Sequence, residues 1–103
     1  MTALTFSHGD ALIIVDGQVL EVFRKNVEGS NRIPLAWLGA WLDTERMRIA
    51  IGARTISGGP VYAERPQSLT GFWRLPIQAE AVPDLRAFFA EVSALAGKAA
   101  AWS

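Results

Sequence analysis

Apolar and polar residues alternate through most of the chain and change period once, near its end. Over residues 82–99 (VPDLRAFFAEVSALAGKA), Leu85, Phe88, Phe89, Val92, Leu95, Ala96 and Ala99 recur at helical spacing and fall on one stripe. Arg86, Glu91 and Lys98 fall elsewhere on the wheel. Pro83 suits a first helical turn, where its missing N–H is not needed, and Asp84 places negative charge at the helix N-terminus. The pattern predicts an amphipathic helix at about 83–98, with Gly97 weakening its last turn. Such a helix is marginal alone, so its stripe needs a partner. Burying its five large apolar side chains would contribute on the order of 10 kcal/mol as an upper bound.

The partner is predicted to be a sheet, with strands at about 11–77. Residues 11–24 (ALIIVDGQVLEVFR) form the clearest hairpin, two apolar-rich runs around Asp16-Gly17, a pair suited to a type I′ turn. A two-residue loop there sets Val15 opposite Gln18 and Ile13 opposite Leu20. Ala11, Ile13, Val15, Leu20 and Val22 then share the expected inner face. Leu12, Ile14, Val19 and Phe23 share the other face with Glu21, so the hairpin is apolar on both sides. Arg24 is expected outward or near an edge. Ahead of this hairpin, residues 4–6 read as a short strand or an extended arm, and His8-Gly9-Asp10 as a turn.

Residues 25–32 (KNVEGSNR) form a polar loop. Residues 33–42 (IPLAWLGAWL) carry two signals: Trp37 and Trp41 are four apart, as on a helix, while Leu38, Ala40 and Leu42 alternate, as on a strand. Pro34 and Gly39 argue against a long helix, which leaves a bend near Pro34 and a strand over about 38–42. After a turn at 43–45, residues 46–52 alternate, with Met47, Ile49 and Ile51 on one face. Residues 54–60 read as a turn region containing Gly58-Gly59-Pro60, residues 61–64 as a short strand, and residues 71–77 as the last strand. The fold class expected is mainly β (α+β): a bent antiparallel sheet or barrel of six to seven strands, capped by one C-terminal amphipathic helix.

Length and composition narrow the picture further. The 103 residues suit a single domain, 1–103, and half of them are apolar, enough for a core. Ten basic and ten acidic residues balance, which argues against a nucleic-acid partner. The chain has no cysteine, so disulfides and cysteine metal sites are excluded. The first residues lack the basic and apolar regions of a signal peptide, and no apolar run approaches a membrane span, so we expect a cytoplasmic protein.

The Ile14-Val15-Asp16-Gly17 hairpin followed by alternating residues 19–24, Ile33-Pro34 at the next strand and the final helix over 85–95 together resemble the small pleckstrin-homology-like (PH-like) modules of actinobacterial proteins. The resemblance lies in the order of elements over nearly the whole chain. It implies a seven-stranded, strongly bent antiparallel sheet with the helix plugging one end. PH domains that bind phosphoinositides place a basic cluster around the first hairpin loop. Here that loop is Asp16-Gly17, with no lysine or arginine to hold phosphate.

Candidate chemistry is sparse. His8 and Asp10 suggest a base and its orienting carboxylate, but no nucleophile accompanies them. Arg24, Lys25 and Arg32 flank one loop, with Glu28 between them, and are candidates for holding an anion. Trp37, Trp41, Trp73 and Trp102 are many tryptophans for this length, and tryptophan is enriched at binding hot spots. Trp73 is expected in or near the core. Trp37 and Trp41 cannot both follow the Leu38/Ala40/Leu42 face, so one of them is expected at the surface. We therefore expect a non-enzymatic interaction module with no catalytic or metal residues and no cofactor. Its partner would be a protein or peptide, or a second copy in a homodimer. Binding to anionic lipid or a membrane surface is the alternative. A small-molecule binder or an enzyme ranks below both. The candidate binding residues are Arg24, Lys25, Arg32, Trp37 and Trp41.

Overall fold

The computed structural model describes residues 4–25, 29–55 and 59–100. Parts of the two expected loops, residues 26–28 and 56–58, lie outside the described residues, as do Trp102 and the side chain of Ala99. The chain is mainly β: β1 (Leu4–His8), β2 (Ala11–Asp16), β3 (Val19–Arg24), β4 (Ser30–Pro34), β5 (Leu38–Asp43), β6 (Arg48–Arg54), β7 (Tyr62–Ala63) and β8 (Leu69–Pro76) precede α1 (Val82–Ala100). A short 3-10 turn at Ala79–Ala81 leads into the helix.

The strands form two four-stranded sheets, in the orders β1-β2-β3-β4 and β7-β5-β6-β8, and neither sheet closes on itself. The single bent sheet or barrel expected from the sequence is corrected accordingly. Among the described residues eight strands replace the six or seven expected. β1, the segment read as a strand or an arm, pairs with β2 along its whole length from Leu4↔Val15 to His8↔Ala11. The unexpected strand is β4, which begins inside residues 25–32, read as a polar loop, and pairs with β3 from Val19↔Pro34 to Phe23↔Ser30. The arrangement is also not wholly antiparallel. After the β5–β6 hairpin the chain returns to the far side of β5, and β7 runs parallel to it through Ala40↔Tyr62 and Trp41↔Ala63.

The first hairpin keeps its faces but not its predicted register. Asp16 pairs with Val19 and Val15 with Leu20, so the loop is Gly17-Gln18 rather than Asp16-Gly17. Gly17 takes φ +65° at the first central position, the place where a type II′ turn requires glycine. The pairing differs from the expected one by two residues. An even shift leaves each side chain on its own face, and Ala11, Ile13, Val15, Leu20 and Val22 are all buried as expected. Arg24 is corrected: it shares the inward parity of Leu20 and Val22, at the end of the sheet opposite Ala11.

The second hairpin starts later than expected. Asp43 Oδ1 accepts the backbone N–H groups of Glu45 and Arg46, both at 3.1 Å. The turn this side chain holds extends through Met47, which takes φ +51°, so β6 begins at Arg48. The ambiguous segment 33–42 resolves into the end of β4, a turn at residues 35–37, and β5.

One cluster of buried side chains runs from Phe6 to Ala96 and joins the inner faces of both sheets to the helix stripe. α1 packs against β1 and β7, one edge strand of each sheet. Leu85, Phe88, Phe89, Val92 and Ala96 are buried, and Leu95 is half-buried. The Phe89 ring stacks on Tyr62 of β7 at 5.2 Å and meets Phe88 edge-on, while Phe88 reaches Phe6 of β1 at 5.8 Å. Two aromatic residues adjacent on the helix thus bind it to both sheets. Polar contacts repeat the connection. Arg86 donates to both Glu64 carboxylate oxygens at 2.7 and 2.8 Å, and the Tyr62 hydroxyl donates to the same carboxylate at 2.9 Å. His8, read as part of a turn, instead ends β1, and its Nε2 accepts the Gln78 N–H at 3.1 Å.

Candidate functional site

The structure separates the basic residues that lie close in the sequence. Arg32 stands on the outer face of β4, opposite Glu21, and donates to it at 3.0 Å. The Ser30 hydroxyl also donates to Glu21. These two donors favour the charged carboxylate and hold Glu21 below its ordinary range. Arg24, on the opposite face, lies 3.6 Å from Asp10. Its Nε is buried without a hydrogen-bond partner among the described residues. Lys25 is exposed at the end of β3, where its backbone N–H bonds the Asp10 carbonyl. Arg24 and Arg32 therefore point to opposite sides of one sheet, each facing a carboxylate, and do not form a shared anion clasp.

The tryptophans divide as the alternation of β5 requires. Trp41 lies on the outer face opposite Ala50 and is half-buried. Trp73 is partly buried against the core. Trp37 is 63 % exposed, and it and Val19 are the exposed large apolar residues among those described. Val19 pairs with Pro34, and the 35–37 turn begins at the next residue. Beside Val19 on the same face stands half-buried Ile14, with which it lines a surface depression.

The turn that carries Trp37 is held at several points. Leu35 N–H donates to the Gln18 carbonyl at 2.8 Å, and Trp37 N–H donates to Pro34 at 3.0 Å. From the second sheet, Arg54 N–H donates to the Trp37 carbonyl and Arg54 Nη2 to the Ala36 carbonyl, both at 2.8 Å. Arg54 reaches the turn by passing over Gly39. A Cβ on Gly39 would lie 2.7 Å from Arg54 Cγ and 2.5 Å from Leu69 Cδ2. The indole thus projects from a backbone fixed to both sheets.

Two further concavities were not visible in the sequence. A groove of about 340 Å³ runs between β1 and the Asp84–Ala87–Glu91 stripe of α1. A cavity of about 400 Å³ near β7 is lined by Arg54, Arg65, Gln67 and Ser68 and by Pro60, Ala63 and Pro66. The sequence named Trp37 but not Arg54 or Arg65, because nothing local marks an arginine whose guanidinium lacks a carboxylate partner; even Glu64, next to Arg65 in the chain, pairs with Arg86 instead. Comparison with protein-family models, with curated proteins and with solved structures found no match.

Proposed function

We propose that this chain is a non-enzymatic interaction module of PH-like architecture that docks a protein or peptide partner through the Trp37 turn. One observation carries the reading: an indole 63 % exposed, on a backbone pinned by four hydrogen bonds. Scattered exposed apolar residues are ordinary, but a tryptophan held out on a pinned backbone has the character of a binding hot spot. Its backbone is ordered before binding, so little entropy is lost on docking. Covering the remaining indole surface, on the order of 150 Å², would contribute roughly 3–4 kcal/mol at about 25 cal/mol per Å². Four-stranded sheets with the helix against β1 and β7 support the PH-like architecture.

Side-chain docking fits better than addition of a strand. β4 is an edge only five residues long that carries Arg32 and Pro34. β8 has an irregular register beside Ile51/Ala53 and ends at Pro76. Short, charged, kinked or proline-bearing edges resist strand addition.

The test is light scattering over a concentration series, followed by affinity capture with wild type and Trp37→Ala as paired baits. A dimer that dissociates in Trp37→Ala makes the partner a second copy. A monomer whose captured partner is lost in the variant supports a different protein. An oligomeric state and a captured set both unchanged by Trp37→Ala would overturn the proposal.

A further inference from the structure

Among the described residues, the lining of the cavity beside β7 holds two arginines and no acid. Arg24, Arg32, Arg46 and Arg86 each have a carboxylate within 4.0 Å. Arg54 differs from all of them. It is half-buried, and its guanidinium donates to two backbone carbonyls, Ala36 and Gly59, with no carboxylate partner among the described residues. Carbonyl dipoles satisfy its donors but leave its charge uncompensated, and withdrawing an unpaired charge from water is costly. Arg65 lines the same cavity, also with no carboxylate partner among the described residues. The remaining wall is apolar and short-chained: Pro60, Ala63 and Pro66. Part of the frame is tied by Gln67 Nε2, which donates to the Ala40 carbonyl at 3.0 Å.

We propose that this cavity binds a small organic carboxylate. Arg65 pairs with the carboxylate group, the charge of Arg54 in the same lining supports it, and the ligand's apolar body lies on Pro60, Ala63 and Pro66. A guanidinium presents paired donors that match a planar carboxylate. Inorganic phosphate would leave the proline–alanine wall unused. At about 400 Å³ the cavity is at the small end of ligand sites, with room for on the order of ten heavy atoms. The site is separate from the Trp37 docking surface, although Arg54 touches both through the Ala36 carbonyl. Either can fail without the other.

The test is a ¹⁵N–¹H NMR titration of the whole chain with sodium benzoate, with benzyl alcohol and sodium phosphate as matched arms. Saturating shifts at the Ala63, Gln67 and Ser68 amides are expected with benzoate, and weaker binding or none with the other two. Arg65→Gln should weaken benzoate by about tenfold or more, as for loss of a charged hydrogen bond. Arg65 is exposed, so the fold should survive this change, which an unchanged amide spectrum elsewhere would establish. The proposal is overturned by any of four results. These are no saturation with benzoate within its solubility, equal binding of benzyl alcohol, tighter binding of phosphate, or benzoate affinity unchanged in Arg65→Gln.

Discussion

Replacing Phe89 by alanine should be among the most damaging single changes in this chain. The side chain is fully buried, and its ring lies 5.2 Å from both Tyr62 and Phe88. Losing the transfer free energy of the ring costs about 2 kcal/mol. A void of about 100 Å³ left unrelaxed adds roughly 2.4 kcal/mol at about 24 cal/mol per Å³. Alanine's better helix propensity offsets about 0.5 kcal/mol. Partial collapse around the void reduces the cavity share, and loss of the stacked Tyr62 contact adds to the total, so the expected cost is about 3–5 kcal/mol. That is a large part of the roughly 5–15 kcal/mol typical of a whole domain. The assay is urea denaturation followed by far-UV circular dichroism, comparing midpoints at unchanged slope. A loss below about 1 kcal/mol would mean that the ring is not core. The helix would then not be held to the second sheet through β7 in the way described.

The remaining predictions concern the ionic link, a tight glycine and the exposed indole. Arg86, then the Tyr62 hydroxyl, hold Glu64 below the ordinary carboxylate range. A lowered folded-state value stabilises above the unfolded carboxylate value of about 4.3 and is lost as pH falls through the folded value. Stability should therefore fall below about pH 4.3, and Glu64→Gln should flatten the slope of an acid titration followed by thermal melting. At the other end of the scale, burial first and the bond to Glu64 second push the Tyr62 hydroxyl up. A raised value stabilises below the unfolded tyrosine value of about 10 and is lost above it, so Tyr62→Phe should blunt alkaline destabilisation while keeping the ring. Gly39→Ala should cost about 1–3 kcal/mol in chemical denaturation, because its Cβ would overlap Arg54 Cγ and Leu69 Cδ2. Trp37→Ala should change stability by less than about 0.5 kcal/mol, as for an exposed position. A larger loss would show that the indole packs on its own chain rather than waiting for a partner.

Where a period was long and clean, local pattern was enough. The Leu85–Phe88–Phe89–Val92 stripe became the buried face of α1, and the inner face of the β2–β3 hairpin is the alternating set read from the sequence. Period alone determines which side of an element is apolar. It does not determine pairing. The hairpin register depended on whether the loop contained Asp16-Gly17 or Gly17-Gln18. Both keep the same faces, so burial does not discriminate between them. Likewise, the two tryptophans four apart imitated a helix, and the competition was decided by β5 pairing with β6 and by the turn anchored to Gln18.

The candidate sites show the same division. The sequence by itself determined the surplus of tryptophan, the lack of cysteine, the neutral balance and the basic residues around one loop. Only the tertiary structure decided that Arg24 and Arg32 lie on opposite faces, because the β3–β4 register sets Arg32 opposite Glu21 while Arg24 shares the face of Leu20 and Val22. Only it decided that Trp37 is presented on a fixed backbone and that Arg54 lies half-buried with no carboxylate partner among the described residues. Exposure, charge compensation and rigidity are properties of distances between residues far apart in the chain. A periodic pattern reports only which neighbours along one element share a side.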